Sequence, residues 1–127
     1  MRRAAAPAER REYGNAGEEA AVRFLEAQGW RVRHRNWTCR FGELDVVAER
    51  GDLVCFVEVR MRSTATWGDP SHSVSFAKQR RVVKAALRYL FAHDLRGRML
   101  RFDVISVVGR GERATVEHIP GAFDAGM

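Results

Sequence analysis

The stretch that most constrains the fold is Leu53 to Val59, which is apolar at every position except Glu58. A strand that is apolar on both faces is typical of the centre of a sheet that is covered on both sides. At 127 residues the chain is short enough to form one domain. The pattern therefore predicts a central strand with a packed layer on each face.

Amphipathic helices and further strands surround this run. The first helix is predicted over 13–28, with Gly29 as its C-terminal stop, and the second over 75–93. The other strands are predicted over 30–37, 42–49, 101–108 and 114–119. The order α-β-β-β-α-β-β mixes hairpins with one crossover, which predicts an α/β fold, a mixed β-sheet flanked by helices. Residues 1–12 are predicted to be a flexible basic arm, and 13–127 a single domain.

The charge of the chain points towards phosphate. Lys and Arg number 22 against 16 Asp and Glu, and the net charge is +6. Arginine dominates the excess, and its planar fork suits phosphate. A nucleic-acid binder and a merely soluble basic surface are both open. The second helix carries the cations predicted to touch DNA phosphates, Arg80, Arg81, Lys84 and Arg88. A second path is predicted along one side of the first strand, through Arg31, Arg33 and Arg35.

Other function classes lack their sequence signatures. No apolar run approaches the roughly 18 residues of a membrane-spanning helix, and no apolar segment of a secretion signal follows the basic start. The two cysteines, Cys39 and Cys55, lie in strand-like stretches and are expected to be reduced. No membrane partner is therefore expected, and the predicted location is the cytoplasm. The four histidines are scattered and receive no role.

Acidic side chains interrupt the hairpin of the second and third strands. Asp45 lies in one strand and Glu58 in the next, with Arg60 two residues further on. The alternation of side chains can bring all three to one face, with Leu44, Val46 and Ala48 directed away. Two interpretations are open, an ordinary cross-strand salt bridge and a site in which carboxylates bind a divalent cation.

A third carboxylate favours the metal site. At 100° per residue, Glu18 falls inside the apolar arc of the first helix, between Val22 and Leu25, so it is directed at the sheet. An acid near a helix N-terminus, where the helix dipole favours it, is the alternative explanation. A Mg²⁺ or Mn²⁺ ion is predicted to be shared by Asp45 and Glu58, with the Val59 carbonyl as a further ligand and Glu18 on the same side.

The spacing of these acids resembles a known family. The matching segments, in chain order, are Gly17-Glu18, Gly42-Glu43-Leu44-Asp45 and Phe56-Val57-Glu58-Val59-Arg60-Met61-Arg62, followed by Lys78-Gln79-Arg80-Arg81 and Arg101-Phe102-Asp103-Val104. This pattern, over roughly residues 13–125, resembles the UPF0102 (YraN-like) bacterial proteins. The resemblance implies a restriction-endonuclease-like PD-(D/E)xK fold related to Holliday-junction resolvases, and with it a possible homodimer. It also implies that Glu18 is the helix acid, Asp45 the aspartate of the motif, and Glu58-Val59-Arg60 the E-x-K element.

The chain departs from that element at Arg60, where such nucleases carry lysine. Arginine stays protonated in proteins, so Arg60 can position water or phosphate but cannot act as a base. Lys78 could supply an ammonium from the second helix, although a surface position at the helix start is the preferred interpretation. Gln79 either reaches the site or is a buried, satisfied amide. Trp67, in a loop over 63–73, either stacks on a base or anchors the loop.

Three functions follow from these patterns. The first is a Mg²⁺- or Mn²⁺-dependent endonuclease that acts on DNA, including branched or junction DNA. The second is a nucleic-acid-binding protein with weakened or lost catalysis, for which Arg60 is the motive. The third is an interaction module whose basic face binds an acidic protein.

Overall fold

The helices and strands follow one another in the predicted order. The computed structural model describes residues 7–62, 74–109 and 111–125. Its elements are α1 (Pro7–Ala27), β1 (Arg31–Cys39), β2 (Gly42–Arg50), β3 (Leu53–Arg62), α2 (Phe76–Ala92), β4 (Met99–Val108) and β5 (Thr115–Phe123). A 3-10 turn, Gly111–Arg113, precedes β5. The predicted loop, with Trp67, lies outside the described residues.

The sheet has β3 at its centre. Its strand order is β1-β2-β3-β4-β5. The pair β3 and β4 is parallel, and the other neighbours are antiparallel. Parallel strands need a crossover connection, which α2 supplies, whereas the antiparallel pair β2 and β3 needs only a hairpin. The predicted mixed sheet in an α/β fold is confirmed, and its arrangement is consistent with a restriction-endonuclease-like fold.

Each face of the sheet packs against one helix. Phe56 of β3 packs in a cluster with Tyr89 of α2, whereas Val57 packs on the other face with Leu25 of α1. Successive side chains of a strand point to opposite faces, so a strand between two helices must be apolar at both. Full burial of a side chain such as Phe56 or Leu25 contributes roughly 1.5–3 kcal/mol.

The ends of the helices follow from their capping residues. The Ser75 hydroxyl oxygen accepts a hydrogen bond from the Lys78 backbone N–H at 3.2 Å, so α2 begins at Phe76. Gly29 has φ +90° and follows the end of α1, as predicted for a glycine stop. At its other end α1 begins at Pro7, earlier than predicted. Residues 1–6 of the predicted arm lie outside the described residues.

The prediction that alternate arginines share one side of β1 is wrong. The pairing with β2 shifts between Val32 and His34, which places a bulge at Arg33. Arg33 then donates to the Tyr89 hydroxyl of α2, whereas Arg35 donates to Glu19 of α1. Because a bulge inserts an extra residue, side chains beyond it change faces.

The predicted alternation in β2 also fails, between Leu44 and Val46. Leu44 belongs to the core under α2, whereas Val46 belongs to the core under α1. On β1, the partners of these residues flank Asn36, which has φ +52°. This left-handed residue interrupts the regular strand geometry. The irregularity lies beside Asp45, where the candidate site is built.

Candidate metal centre

Asp45 lies where strands β2 and β3 stop pairing. The last backbone pair towards this end joins Val46 and Val57. Beyond it, the Asp45 Oδ2 atom accepts a hydrogen bond from the Val59 backbone N–H at 2.9 Å. The carboxylate therefore takes the place of a strand carbonyl and is held partly buried between the strands.

Three carboxylates converge at this point. Single oxygen atoms of Glu18, Glu43 and Asp45 all lie within 4.8 Å of one another. Glu18 comes from α1, and its Oε1 atom accepts a hydrogen bond from the Asn36 amide at 2.7 Å. Glu43 was not among the predicted ligands, although the two-residue spacing from Asp45 on one strand placed both acids on one face.

Glu58 is the buried member of the site. Its side chain is only 2% exposed, and Lys78 Nζ lies 2.9 Å from its Oε1 atom. This contact is an ion pair, and it opposes the effects of burial and of the Asp45 charge on Glu58. Lys78 therefore contacts the site from the start of α2, and the preferred prediction of a surface position is corrected. At 100° per residue Lys78 shares the inner arc of α2 with Ala85 and Tyr89, which is the pattern that could have revealed it.

The crowding of acids shifts their protonation. Burial, followed by the charge of Asp45, raises the pKa of Glu58 from 4.5 to about 7. Burial also raises the pKa of Asp45, Glu43 and Glu18, and the Asp45 charge acts in the same direction on the last two. Like charges resist joint ionisation, so in the metal-free protein this site retains protons more tightly than isolated carboxyls do.

A second buried carboxylate provides a contrast. Asp103 of β4 is fully buried and accepts hydrogen bonds from Arg101 at 2.9 Å and from the Gly121 backbone N–H at 2.9 Å. His118 lies 2.6 Å away. Although burial opposes it, these contacts and the Cys55 thiol lower the pKa of Asp103. Contacts within the protein therefore stabilise the charge of Asp103, and they also join β5 to β4. The charge of Glu58 is stabilised less.

The residues fit a hard divalent cation. Among the described residues, the donors that converge here are carboxylate oxygens, which Mg²⁺ and Mn²⁺ prefer to nitrogen or sulfur. A bound cation would compensate the buried Glu58 carboxylate and the three converging acids. The predicted Val59 carbonyl ligand stays a prediction, as does the sharing of one ion by Asp45 and Glu58.

Comparison with known proteins places the chain in a family. The family model described as "Uncharacterised protein family UPF0102" matches residues 17–107. A UPF0102 protein of Myxococcus xanthus is 96% identical over 127 residues, which is 100% of both chains. One from Moorella thermoacetica is 46% identical over 116 residues, 90% of this chain and 97% of the relative. The chain belongs to the UPF0102 family. The resemblance inferred from the acidic motifs is thereby confirmed.

The other predicted catalytic residues of this UPF0102 chain, Arg60 and Gln79, lie in different local environments. Arg60 is partly buried in β3, opposite Ser106 of β4. The Gln79 side-chain amide donates to the Val74 carbonyl at 2.8 Å, so it secures the entry to α2. A catalytic role for either residue stays a prediction.

The predicted phosphate-binding arginines separate into two groups. The α2 residues Arg80, Arg81, Lys84 and Arg88 are exposed. The β1 residues are engaged in ion pairs, Arg31 and Arg33 with Glu49 at 2.6 and 3.2 Å and Arg35 with Glu19 at 2.9 Å. Hydrogen bonds from Arg31, Arg33 and Arg98 lower the pKa of Glu49 to about 2 against the effect of burial. The exposed cations of α2 are therefore the better-placed candidates for phosphate.

Two further findings concern the setting of the protein. Cys39 and Cys55 are free thiols, and burial is the main cause that raises the pKa of Cys55. Across the described residues, no helix combines the length and apolar character needed to span a bilayer.

Gly17 sets how closely α1 approaches the sheet beside Glu18. A Cβ atom at Gly17 would lie 2.7 Å from Met61 Sδ and 3.2 Å from Met61 Cβ. Contacts this short cannot be accommodated without movement of the helix or of Met61. Because Glu18 is the next residue, the absence of a side chain at Gly17 also determines where that carboxylate lies.

We expect Gly17→Val to lower the free energy of unfolding by about 1–3 kcal/mol, because it overpacks the contact between α1 and β3. Urea denaturation measures the change. Met61→Ala on the same chain should recover much of the loss, since it removes the atoms that clash. If the two substitutions are additive instead of coupled, Met61 does not limit the approach of α1.

Proposed function

We propose that this chain is a Mg²⁺- or Mn²⁺-dependent endonuclease that acts on DNA, branched DNA included. The observation that carries the proposal is the convergence of Glu18, Glu43 and Asp45 beside the buried Glu58, with Lys78 in contact. Purely structural acids are normally separated or paired, because crowded like charges destabilise a fold. Strongly perturbed acids grouped at a strand end are more typical of functional sites.

The carboxylates have the role of holding the cation. Asp45 is central, since it contacts the Val59 backbone and lies with both Glu18 and Glu43. Glu58 adds a fourth carboxylate to these three, from β3. When bound, a divalent ion supplies Lewis-acid activation of water and neutralises the charge that develops on a scissile phosphate.

Lys78 supplies the ammonium group that the E-x-K element usually provides from a lysine on the strand. Its ammonium lies beside Glu58, with a side chain that is 44% exposed, so one end of it can still reach a phosphate oxygen or a water. Lys78 thus brings an ammonium from α2 to Glu58, the acid of the E-x-K element in which Arg60 replaces lysine. Arginine can contribute charge but not base catalysis.

The exposed cations of α2 have the role of binding the DNA backbone. Arg81 lies one helical turn beyond Lys78, and its Cβ lies 3.7 Å from where a Cβ at Gly42, the first residue of β2, would be. Phosphate contacts of this kind position a nucleic acid without reading its sequence. A strand bound along α2 would therefore lead towards the acids.

The rival function is DNA binding without cleavage, and Arg60 is the observation that favours it. Incubation of the wild type with linear, flapped and four-way DNAs, with Mg²⁺ and with Mn²⁺, separates the two. Product formation that requires either cation supports the endonuclease. Binding to the same DNAs without product from any of them supports the rival.

For the catalytic cation, we expect Lys78→Met to slow cleavage by about 100-fold or more, the loss that follows removal of one transition-state donor. Arg60→Lys should leave the rate within about tenfold, since Lys78 already provides an ammonium at the site. Initial rates on the best substrate, at saturating metal, measure both changes.

Lys84→Met is the matched control, because it removes an exposed lysine from α2 at a position that does not contact the acids. It should weaken DNA binding slightly and leave the rate at saturating DNA unchanged. A large gain of activity in Arg60→Lys, together with a small effect of Lys78→Met, would instead assign the catalytic cation to position 60.

A further inference from the structure

The outward face of α2 carries an unusual combination of side chains. Phe76 and Phe91 are 71% and 64% exposed, and Leu87 between them is 38% exposed. At 100° per residue these three side chains fall within about 60° of one another, with Arg80 inside that strip and Lys84 about 20° beyond Phe91. Large exposed aromatic residues on a surface helix commonly mark a binding surface.

Each exposed ring already has a guanidinium beside it. The Arg80 guanidinium carbon lies 5.8 Å from the centroid of Phe76, and that of Arg96 lies 5.6 Å from the centroid of Phe91. Arg96 also pairs with Asp94 at 3.3 Å. An aromatic ring next to an arginine offers a stacking surface and a phosphate contact together, which is the combination that binds unpaired nucleotides.

The charge of the helix restricts what can cover this face. The α2 sequence contains Lys78, Arg80, Arg81, Lys84 and Arg88 and no acidic residue. A second copy of the chain, paired through this face, would bring two such cationic helices together without acids to compensate them. Three exposed apolar side chains are also well short of the roughly 800 Å² per partner that a stable protein interface buries. A polyanion with flat apolar groups would compensate the cations and would also cover the exposed rings.

We propose that the outward face of α2 binds a single-stranded stretch of nucleic acid, with unpaired bases stacked on Phe76 and Phe91 and phosphates on the cations between them. The two rings are 15 residues apart on the helix, about 22 Å at 1.5 Å per residue. Phe76 lies two residues before Lys78, so the bound strand would lead towards the acidic cluster. The proposal rests on the nucleic-acid function proposed above and narrows its substrates to DNA with an unpaired segment near the cleavage point.

The test is binding in EDTA, so that it does not depend on the metal site. Fluorescence anisotropy with a labelled oligothymidylate and with a blunt duplex gives two affinities for each variant. We expect Phe76→Ala and Phe91→Ala each to weaken binding of the single strand by about fivefold or more, the effect of losing one base-aromatic stack. Duplex affinity and the salt dependence of binding should stay as in the wild type, since no charge is removed.

Met99→Ala is the matched control, because Met99 is a 63% exposed apolar residue of β4 and not of α2. It should leave both affinities unchanged. The double substitution Arg81→Glu and Arg88→Glu should weaken binding of both DNAs and reduce the dependence of affinity on salt concentration.

Three results would overturn the proposal. The first is a single-strand affinity that neither phenylalanine substitution changes, and the second is an equal loss for the duplex. The third is an oligomeric state, measured by sedimentation, that falls when Phe76 or Phe91 is replaced. The first two leave metal-dependent cleavage untouched, whereas a wild type that binds neither DNA contradicts the proposed function as well.

Discussion

Asp45→Asn should abolish metal-induced stabilisation and cleavage while leaving the fold intact. The amide retains an oxygen that can accept the hydrogen bond from the Val59 N–H, but it removes the charge at the centre of the acidic cluster. In the wild type, a cation at about 100 times its Kd should stabilise the fold by about 2.7 kcal/mol. For a domain of this size that corresponds to a rise in Tm on the order of 10 °C.

Thermal melts with EDTA, Mg²⁺ and Mn²⁺ measure the first effect, and cleavage of the preferred DNA measures the second. Without metal, Asp45→Asn should melt at or above the wild-type temperature, because one of the crowded charges is gone. DNA binding in EDTA should be largely retained. Asp94→Asn is the control, since the exposed Asp94 carboxylate pairs with exposed Arg96 at the surface. A variant that still shows the full metal-induced shift would exclude Asp45 as a ligand.

Glu58→Gln should stabilise the metal-free protein above neutral pH. The pKa of Glu58 is about 7 in the folded protein against 4.5 as its ordinary value. At a pH between these two pKa values, Glu58 has lost its proton in the unfolded chain and retains it in the folded chain. The stability linked to this proton is therefore fully present below pH 4.5 and is lost as the pH rises to about 7. The difference amounts to about 3 kcal/mol for a group of this burial.

Glutamine retains the neutral shape without the titration. At pH 8 the variant should therefore be more stable than the wild type by up to about 3 kcal/mol, and near pH 4 the two should be alike. Urea denaturation in EDTA across this range measures the difference. Glu26→Gln, at an exposed position of α1, is the control and should change the free energy of unfolding by no more than about 0.5 kcal/mol. If Glu58→Gln is destabilising at pH 8, the ion pair with Lys78 outweighs the cost of burying the charge.

Asp45→Asn and Glu58→Gln should each preserve or raise the stability of the metal-free protein, and Asp45→Asn should abolish cleavage. Such results would show that the acids are needed for function and not for stability. An acid that costs stability when the metal is absent, yet is needed when metal and DNA are present, is expected at a site selected for binding. An ordinary cross-strand salt bridge would behave in the opposite way, because removal of either partner would lower stability at neutral pH.

Periodicity predicted the layers of the fold well. The apolar run around Phe56 predicted a central strand, and it is the strand that packs against a helix on each face. The apolar arcs predicted which sides of α1 and α2 are buried, and Gly29 marked where α1 ends. These features depend on side chains that are close in sequence, and each is determined by local geometry.

The faces of the edge strand were not predictable in the same way. A single bulged residue, Arg33, reverses the direction of the side chains beyond it, and the left-handed Asn36 adds a second irregularity. The bulge leaves no clear mark in the pattern of residues, because an arginine is ordinary in an exposed strand. The prediction that Arg31, Arg33 and Arg35 share a face failed for this reason.

The order of the elements, the central strand and three acids of the candidate centre could be read from the sequence, because all of these follow from spacing along the chain. Three contacts became visible only in the folded domain: Glu43 joins Glu18 and Asp45, Lys78 reaches Glu58 across 19 intervening positions, and Gly17 meets Met61. Contacts between elements depend on how closely a helix approaches the sheet and on where two strands stop pairing. Those distances arise from packing of the whole domain, and no local pattern of residues encodes them.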